Sequence, residues 1–270
     1  GGKAELSGED SQPVSGLLML GAFIPIELHV TNPGEKPWID LTLFWLRRFG
    51  VDVSHQDYTS YTVKGKGSID ALSLSIPGDL SSAAFPIAAA LITQSELTLS
   101  NVDLNDCQGD KKIIDVLIAM GAQIDWDESK QTLTVHSGAR LQGRKIDVND
   151  MIDAVPILSV IGCYAEGTTE IFNAKIARNK ESDRLHAIAT ELKKMGARIE
   201  EKEDGLVIAH APMQGATVES HHDHRIAMSL AIAAMGSEGE TLVNGTECVA
   251  KTYPNFARDF KQCGVSIEEQ

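Results

Sequence analysis

The run Arg178-Asn179-Lys180-Glu181-Ser182-Asp183-Arg184 gathers three cations and two carboxylates within seven residues. A helix begun near Lys180 would set Lys180 and Arg184, four apart, on one face with Glu181 beside them. Taken alone, a charge run of this kind reads as a solvated, salt-bridged first turn. Cations at a helix start nevertheless oppose the macrodipole, which prefers anions there. Basic groups beside free N-terminal amides make an anion site. Asp223-His224-Arg225 puts a second arginine in the first turn of an apolar segment, and Lys251 precedes the last helical stretch. His221, His222, Asp223 and His224 invite a metal reading, but no histidines stand four apart and no other His/Cys cluster supports them. Cys163 lies inside an apolar helix and reads as a buried structural thiol; Trp38, Trp45 and Trp126 read as packing residues.

These groups need elements to position them, and the elements repeat. Asp10, Asp79, Asp153 and Asp223 each open an apolar segment, at spacings of 69, 74 and 70 residues. Each stands where an N-cap belongs, its carboxylate able to accept the orphan amides of a first turn. The segments that follow are apolar nearly all round, which predicts buried helices. Gly50, Gly121, Gly196 and Gly264 keep the same beat, 71, 75 and 68 apart, each closing a helix and turning the chain into a strand. Strands are expected between the helices at Glu27–Thr31, Glu96–Leu99, Thr168–Phe172 and Glu240–Val243, with others such as Gln131–His136 and Gly205–Ala209 after the glycines. Each unit of about 70 residues thus reads helix, strand, helix, strand, strand, an α/β class. Ser75-Ile76-Pro77-Gly78 breaks the pattern, so the expected domains are 1–77, with one repeat, and 78–270, with three.

Composition narrows the function. The 270 residues carry 24 Lys+Arg against 38 Asp+Glu, a net charge of −14, which disfavours nucleic acid or an anionic membrane as partner. Aromatics at 5% supply few stacking platforms. Apolar runs such as Gly16–Ile26 reach only half the roughly 20 residues of a membrane helix. Four dispersed cysteines without a C-x-x-C pair argue against a zinc or disulfide framework and for a reduced cytoplasm. The chain opens Gly1-Gly2-Lys3, without Met or a signal-peptide pattern, either a tag remnant or the later part of a longer protein.

Four motifs, K-E-S-D-R at Lys180–Arg184, D-H-R-I-A-M at Asp223–Met228, A-K-T-Y-P at Ala250–Pro254 and E-G-T-T at Glu166–Thr169, strongly resemble those of the 5-enolpyruvylshikimate-3-phosphate (EPSP) synthase family. Asp10-Ser11-Gln12 resembles its S-S-Q, and Lys36-Pro37-Trp38-Ile39 its K-P-Y-I. The resemblance implies a two-domain inverse α/β barrel of six βαβαββ units, four of which are present here. The family's D-K-S-x-S motif, with its catalytic lysine, and its N-x-G-T loop have no counterpart. A missing N-terminal segment of the same protein is therefore an expected partner.

The implied reaction is transfer of the enolpyruvyl group of phosphoenolpyruvate to the 5-hydroxyl of shikimate 3-phosphate, with release of phosphate and without metal or organic cofactor. By resemblance, Gln12, Arg184, Arg225 and Lys251 surround phosphoenolpyruvate. Ser11, Gln12, Asp153 and Lys180 surround shikimate 3-phosphate, with Asp153 beside the 5-hydroxyl and Glu181 in proton transfer at the methylene carbon. Arginine forks and a lysine suit a carboxylate and a phosphate, and two carboxylates in different surroundings can divide acid and base work. Asp10 and Glu35 stand where the family carries serines, Trp38 replaces its tyrosine, and Ile176 falls where some members have a polar contact. The sister transferase acting on UDP-N-acetylglucosamine is the nearest alternative, disfavoured by K-E-S-D-R and A-K-T-Y-P. A folded but catalytically incomplete fragment is the alternative of a different class.

Overall fold

In the computed structural model, which describes residues 1–268, four successive repeats follow one plan. The first runs β1 (Gly2–Ser7), α1 (Ser11–Gly21), β2 (Ile26–Thr31), α2 (Lys36–Arg48), β3 (Val53–Gln56) and β4 (Ser60–Val63). The second is α3 (Leu80–Ile92), β5 (Leu97–Ser100), α4 (Lys112–Ala119), β6 (Ile124–Asp127) and β7 (Thr132–Val135). The third is β8 (Lys145–Asp147), α5 (Val155–Tyr164), β9 (Thr168–Phe172), α6 (Arg184–Lys194), β10 (Arg198–Lys202) and β11 (Gly205–Ala209). The fourth is β12 (Thr217–Glu219), α7 (His224–Met235), β13 (Leu242–Asn244) and α8 (Phe256–Gln262).

The sheets repeat as well. The first has order β1-β2-β4-β3 and the third repeat reproduces it as β8-β9-β11-β10; in each the leading pair is parallel and the others antiparallel. The second repeat gives β5-β7-β6 without a leading strand, and the fourth gives only the parallel pair β12-β13. Two of the four repeats therefore carry the full strand set among the described residues. The leading strands are absent from the repeat read off the sequence: β1 has six residues but fully buries none of them, and the other two are short. β8 and β12 are three residues long and bury one side chain each, Ile146 and Val218, too little to write a period.

The chain divides into two compact units, one of Gly1–Pro77 with Leu104–Gly109 and the other of Gly78–Asp103 with Asp110–Gln270. In the first, Val14, Leu18, Leu28, Val30, Ile39, Leu43 and Tyr61 form the core between two helices and one sheet face. The outer side of α1 leaves Met19 and Leu20 about half exposed. In the second unit, α3, α5 and α7 pack against one another in all three pairings. They are the apolar helices expected to be buried, and α5 buries every residue from Val155 to Cys163. Each buried Val, Leu or Ile contributes about 1.5–3 kcal/mol, so these helices anchor the unit.

Their starts are what the site depends on. Asp10, Asp79 and Asp223 are N-caps, accepting from Gln12 N–H, from Ser81 and Ser82 N–H, and from Arg225 N–H. Asp153 is the exception and corrects the expectation. It lies in a short 3₁₀ turn, Ile152–Ala154, and α5 starts after Ala154 without a side-chain cap. Pro156 in the first turn has no N–H to satisfy, so the Asp153 carboxylate is free to turn elsewhere. Gly50, Gly121, Gly196 and Gly264 all have φ between 74 and 109°, the backbone that closes these helices.

Candidate anion site at the helix starts

The beginnings of α3, α5, α6 and α7 meet through an ion cluster within the second unit. Arg184, the first residue of α6, is 1% exposed, yet all three guanidinium nitrogens are engaged. Its Nε donates to Asp223 Oδ2 at 2.8 Å, Nη1 to Asp153 Oδ1 at 2.6 Å and Nη2 to Glu181 Oε2 at 2.7 Å. Arg225 meets Asp153 Oδ2 through Nη2 at 3.0 Å, and the same nitrogen donates to Ser81 Oγ at 3.0 Å. Lys251 donates to Glu181 Oε1 at 2.6 Å. Three cations thus face three carboxylates. Such pairing is required, because a buried guanidinium without counter-charge costs far more than a salt bridge returns.

The partners differ in exposure. The Asp223 side chain is wholly buried, whereas Asp153 is 22%, Glu181 30% and Lys251 60% exposed. Asp223 is the enclosed partner, and Asp153 and Glu181 form the solvent-facing edge. Burial alone would raise the Asp153 carboxyl, but Arg225 and Arg184 outweigh it and hold the group below the ordinary range. For Glu181, burial also pulls upward and is overcome by the Lys251 hydrogen bond and the Arg184 charge, leaving it near about 2. Burial, with the Arg225 charge, pushes His224 down, so that imidazole stays neutral beside the arginines.

One donor is left over. Arg225 Nε is buried with no hydrogen-bond partner among the described residues, a deficit of about 1–3 kcal/mol by the usual cost of an unsatisfied buried donor. An oxyanion beside Arg225 and the exposed Lys251 would remove it.

Several expectations need revision on geometry. No helix begins at Lys180. The Asp183 carboxylate accepts from His186 N–H and sets the start of α6 at Arg184, leaving Lys180 in extended backbone after the 3₁₀ turn Lys175–Asn179. Lys180 and Arg184 therefore share no helical face, although the Lys180 charge acts on Asp153. Arg178 is structural: it binds Asp183, Glu201 and the Lys202 and Glu203 carbonyls, tying that turn to the β10–β11 hairpin. The arginines are not unpaired cations awaiting an anion, since sequence spacing says nothing about carboxylates that arrive from 30 to 70 residues away. Asp223, missed as a site residue, could have been found only as the cap two residues before Arg225. The histidines diverge: His221 Nε2 meets Glu191 at 2.8 Å and His224 is buried at the start of α7. Among the described residues, no three His, Cys, Asp or Glu side chains are grouped to hold a metal ion.

In the first unit, Ser11 opens α1 and is buried, with its N–H and hydroxyl both donating to Glu35 Oε2 at 2.9 and 3.1 Å. Gln12 is exposed, its N–H bound by Asp10. The two acids that replace serines therefore hold the amides of this helix start themselves.

Repeated helix–strand units and an arginine–carboxylate cluster at their helix starts define an α/β protein of repeated units. A sequence model of the family EPSP synthase (3-phosphoshikimate 1-carboxyvinyltransferase) matches residues 1–260, and the chain belongs to that family. It is 40% identical over 269 residues to the 3-phosphoshikimate 1-carboxyvinyltransferase of Acetivibrio thermocellus, covering 99% of this chain and 63% of that protein. Against the protein of the same name from Methanocaldococcus jannaschii it is 41% identical over 262 residues, covering 96% of this chain and 60% of that one. The chain spans about three fifths of the length of the curated relatives it matches. An EPSP synthase structure from Acinetobacter baumannii superposes with a TM-score of 0.82 at 30% identity, over 98% of this chain and 64% of that one. The enolpyruvyl transferase NikO from Streptomyces tendae, at TM-score 0.76 and 20% identity over 98% of this chain and 65% of that one, shares the fold. No helix among the described residues is long and apolar enough to cross a membrane.

Proposed function

We propose that the protein transfers the enolpyruvyl group of phosphoenolpyruvate to the 5-hydroxyl of shikimate 3-phosphate, and that the cluster around Arg225 receives phosphoenolpyruvate. The unpartnered, buried Nε of Arg225 carries the reading. The names of relatives at 40% identity support the choice of substrates over those of the UDP-N-acetylglucosamine enzyme.

In this reading phosphoenolpyruvate takes up Arg225, Lys251 and the Arg184 nitrogens that Asp153 and Glu181 hold, displacing those two carboxylates while Asp223 stays. Released from their cations, both carboxylates become better proton acceptors. Asp153 takes the proton of the attacking 5-hydroxyl as its oxygen bonds to C2, and Glu181, which takes up a proton from solvent once released, gives it to the methylene carbon, forming a tetrahedral ketal. In the elimination Glu181 takes a proton back from the new methyl group as the C2–O bond to phosphate breaks, and the proton on Asp153 leaves with the phosphate. Lys180, whose charge reaches Asp153, is assigned to the acceptor. The roles of Ser11 and Gln12 rest on the resemblance alone, and an acceptor phosphate at Ser11 would first have to turn Glu35 aside.

A cytoplasmic setting and a further segment of the same protein belong to the same proposal. The test is a phosphate-release assay coupled to mass detection of 5-enolpyruvylshikimate 3-phosphate. The 270-residue chain alone is expected to give no turnover. Turnover should appear when the part of the Acetivibrio thermocellus relative that the chain does not match is added. Robust transfer by the chain alone would contradict the need for that segment. No transfer by any combination, with phosphoenolpyruvate also failing to bind, would overturn the function.

A further inference from the structure

The turn that delivers Asp223 is strained. His221 and His222 adopt φ of 53 and 57°, two successive left-handed residues without a glycine. L-residues avoid that conformation, and it persists only where the surroundings over-determine it. Two tethers do so here. On one side Glu191 of α6, 1% exposed, accepts from Glu219 N–H at 2.9 Å and Lys194 Nζ at 2.7 Å, while its other oxygen meets His221 Nε2 at 2.8 Å. On the other side the Ser220 hydroxyl donates to the Gly245 carbonyl at 2.7 Å and accepts from His222 N–H at 3.1 Å. The next residue is Asp223, whose Oδ1 caps the helix bearing Arg225 and whose Oδ2 takes Arg184 Nε and Ser182 Oγ.

We propose that Glu191 and His221 are positioning residues for the oxyanion site: by holding the strained turn they fix Asp223, and through it the orientation of Arg184 and Arg225. The inference rests on the phosphoenolpyruvate reading for its consequence, but its geometry is tested without it. A buried carboxylate inside α6 has little reason to stand there unless it is fully hydrogen-bonded, and Glu191 directs two of its contacts at the turn. The contact also gives His221 a role that needs no metal.

The experiment compares hydrogen exchange of arginine Nε–H groups by NMR in the unaltered chain and in Glu191→Ala, Glu191→Gln and His221→Asn. Asparagine tolerates the left-handed conformation, so His221→Asn removes the tether while keeping the turn accessible. Arg178 Nε–H, bound to the Glu203 carbonyl at 2.9 Å, is the internal control. The expected result is at least tenfold faster exchange at Arg184 Nε–H in Glu191→Ala and His221→Asn, with Arg178 unchanged. Glu191→Gln, which keeps an acceptor for Glu219 N–H, should fall between. Should Glu191→Ala not fold, His221→Asn decides. Unchanged exchange at Arg184, or equal acceleration at Arg178, would overturn the inference. Phosphoenolpyruvate affinity is measured on the same samples and should fall about tenfold in step with the exchange. Absence of binding in the unaltered chain would count against the assignment of this cluster to phosphoenolpyruvate while leaving the exchange comparison to judge the positioning.

Discussion

Replacing Arg184 by alanine is expected to destabilise the second unit by about 3–5 kcal/mol, the cost of breaking a buried ion cluster by removing one member. Arg184 is the shared partner of Asp153, Glu181 and Asp223. The two exposed carboxylates can turn to water when it is lost. Asp223 cannot, being wholly enclosed, and it must either stay charged without its cation or take up a proton. The loss should therefore be largest for Arg184→Ala alone and smaller for Arg184→Ala combined with Asp223→Asn, because the amide still caps α7. Native-state hydrogen exchange at the buried amides of α5 and α7 measures both. A change below about 1 kcal/mol, in the range of a surface pair, would show that the cluster holds nothing together.

A second large effect is expected on turnover. Asp153→Asn and Glu181→Gln should each lower the rate by about 10²–10⁴, the usual contribution of a positioned proton transfer. The assay is the complemented transfer reaction described above. Their effect on phosphoenolpyruvate binding should have the opposite sign or be absent. Both carboxylates compete with the incoming anion for the same guanidinium and ammonium groups, so neutralising either removes a competitor. Slower turnover with equal or tighter binding marks a proton-transfer group. Weaker binding together with slower turnover would instead make the residue a structural partner of the arginines.

Much of this arrangement is written in the chain. The glycines spaced by about 70 residues and the aspartates before apolar runs fix helix ends through short-range chemistry, a left-handed backbone and a side-chain cap. Those are local effects and hence legible. Asp153 defeats the same rule because a proline at the start of α5 relieves the need for a cap, and the freed carboxylate pairs with arginines far along the chain. Lys180 misleads for a related reason: Asp183 competes for the cap position and wins, shortening the helix by a turn. Charge type was readable, but charge partners were not. The self-neutralised cluster, the Asp223 hub and the Glu191–His221 tether all join residues from different elements. The short leading strands β8 and β12 hide for want of length, and only their parallel pairing with β9 and β13 reveals them.

The most direct test of the account is a titration of phosphoenolpyruvate into isotope-labelled chain, following the side-chain signals of Arg225 and Lys251 by NMR. The predicted result is saturable movement of the Arg225 Nε–H and Lys251 signals. Release of Glu181 should be seen as an upward move of its carboxyl from near about 2. Arg225→Ala should weaken binding by about 2–5 kcal/mol, as expected for truncating one side of a desolvated charge pair. Signals at Arg225 and Lys251 that do not move up to saturating ligand, or an Arg225→Ala chain that binds as tightly as the original, would contradict the assignment of this cluster to phosphoenolpyruvate.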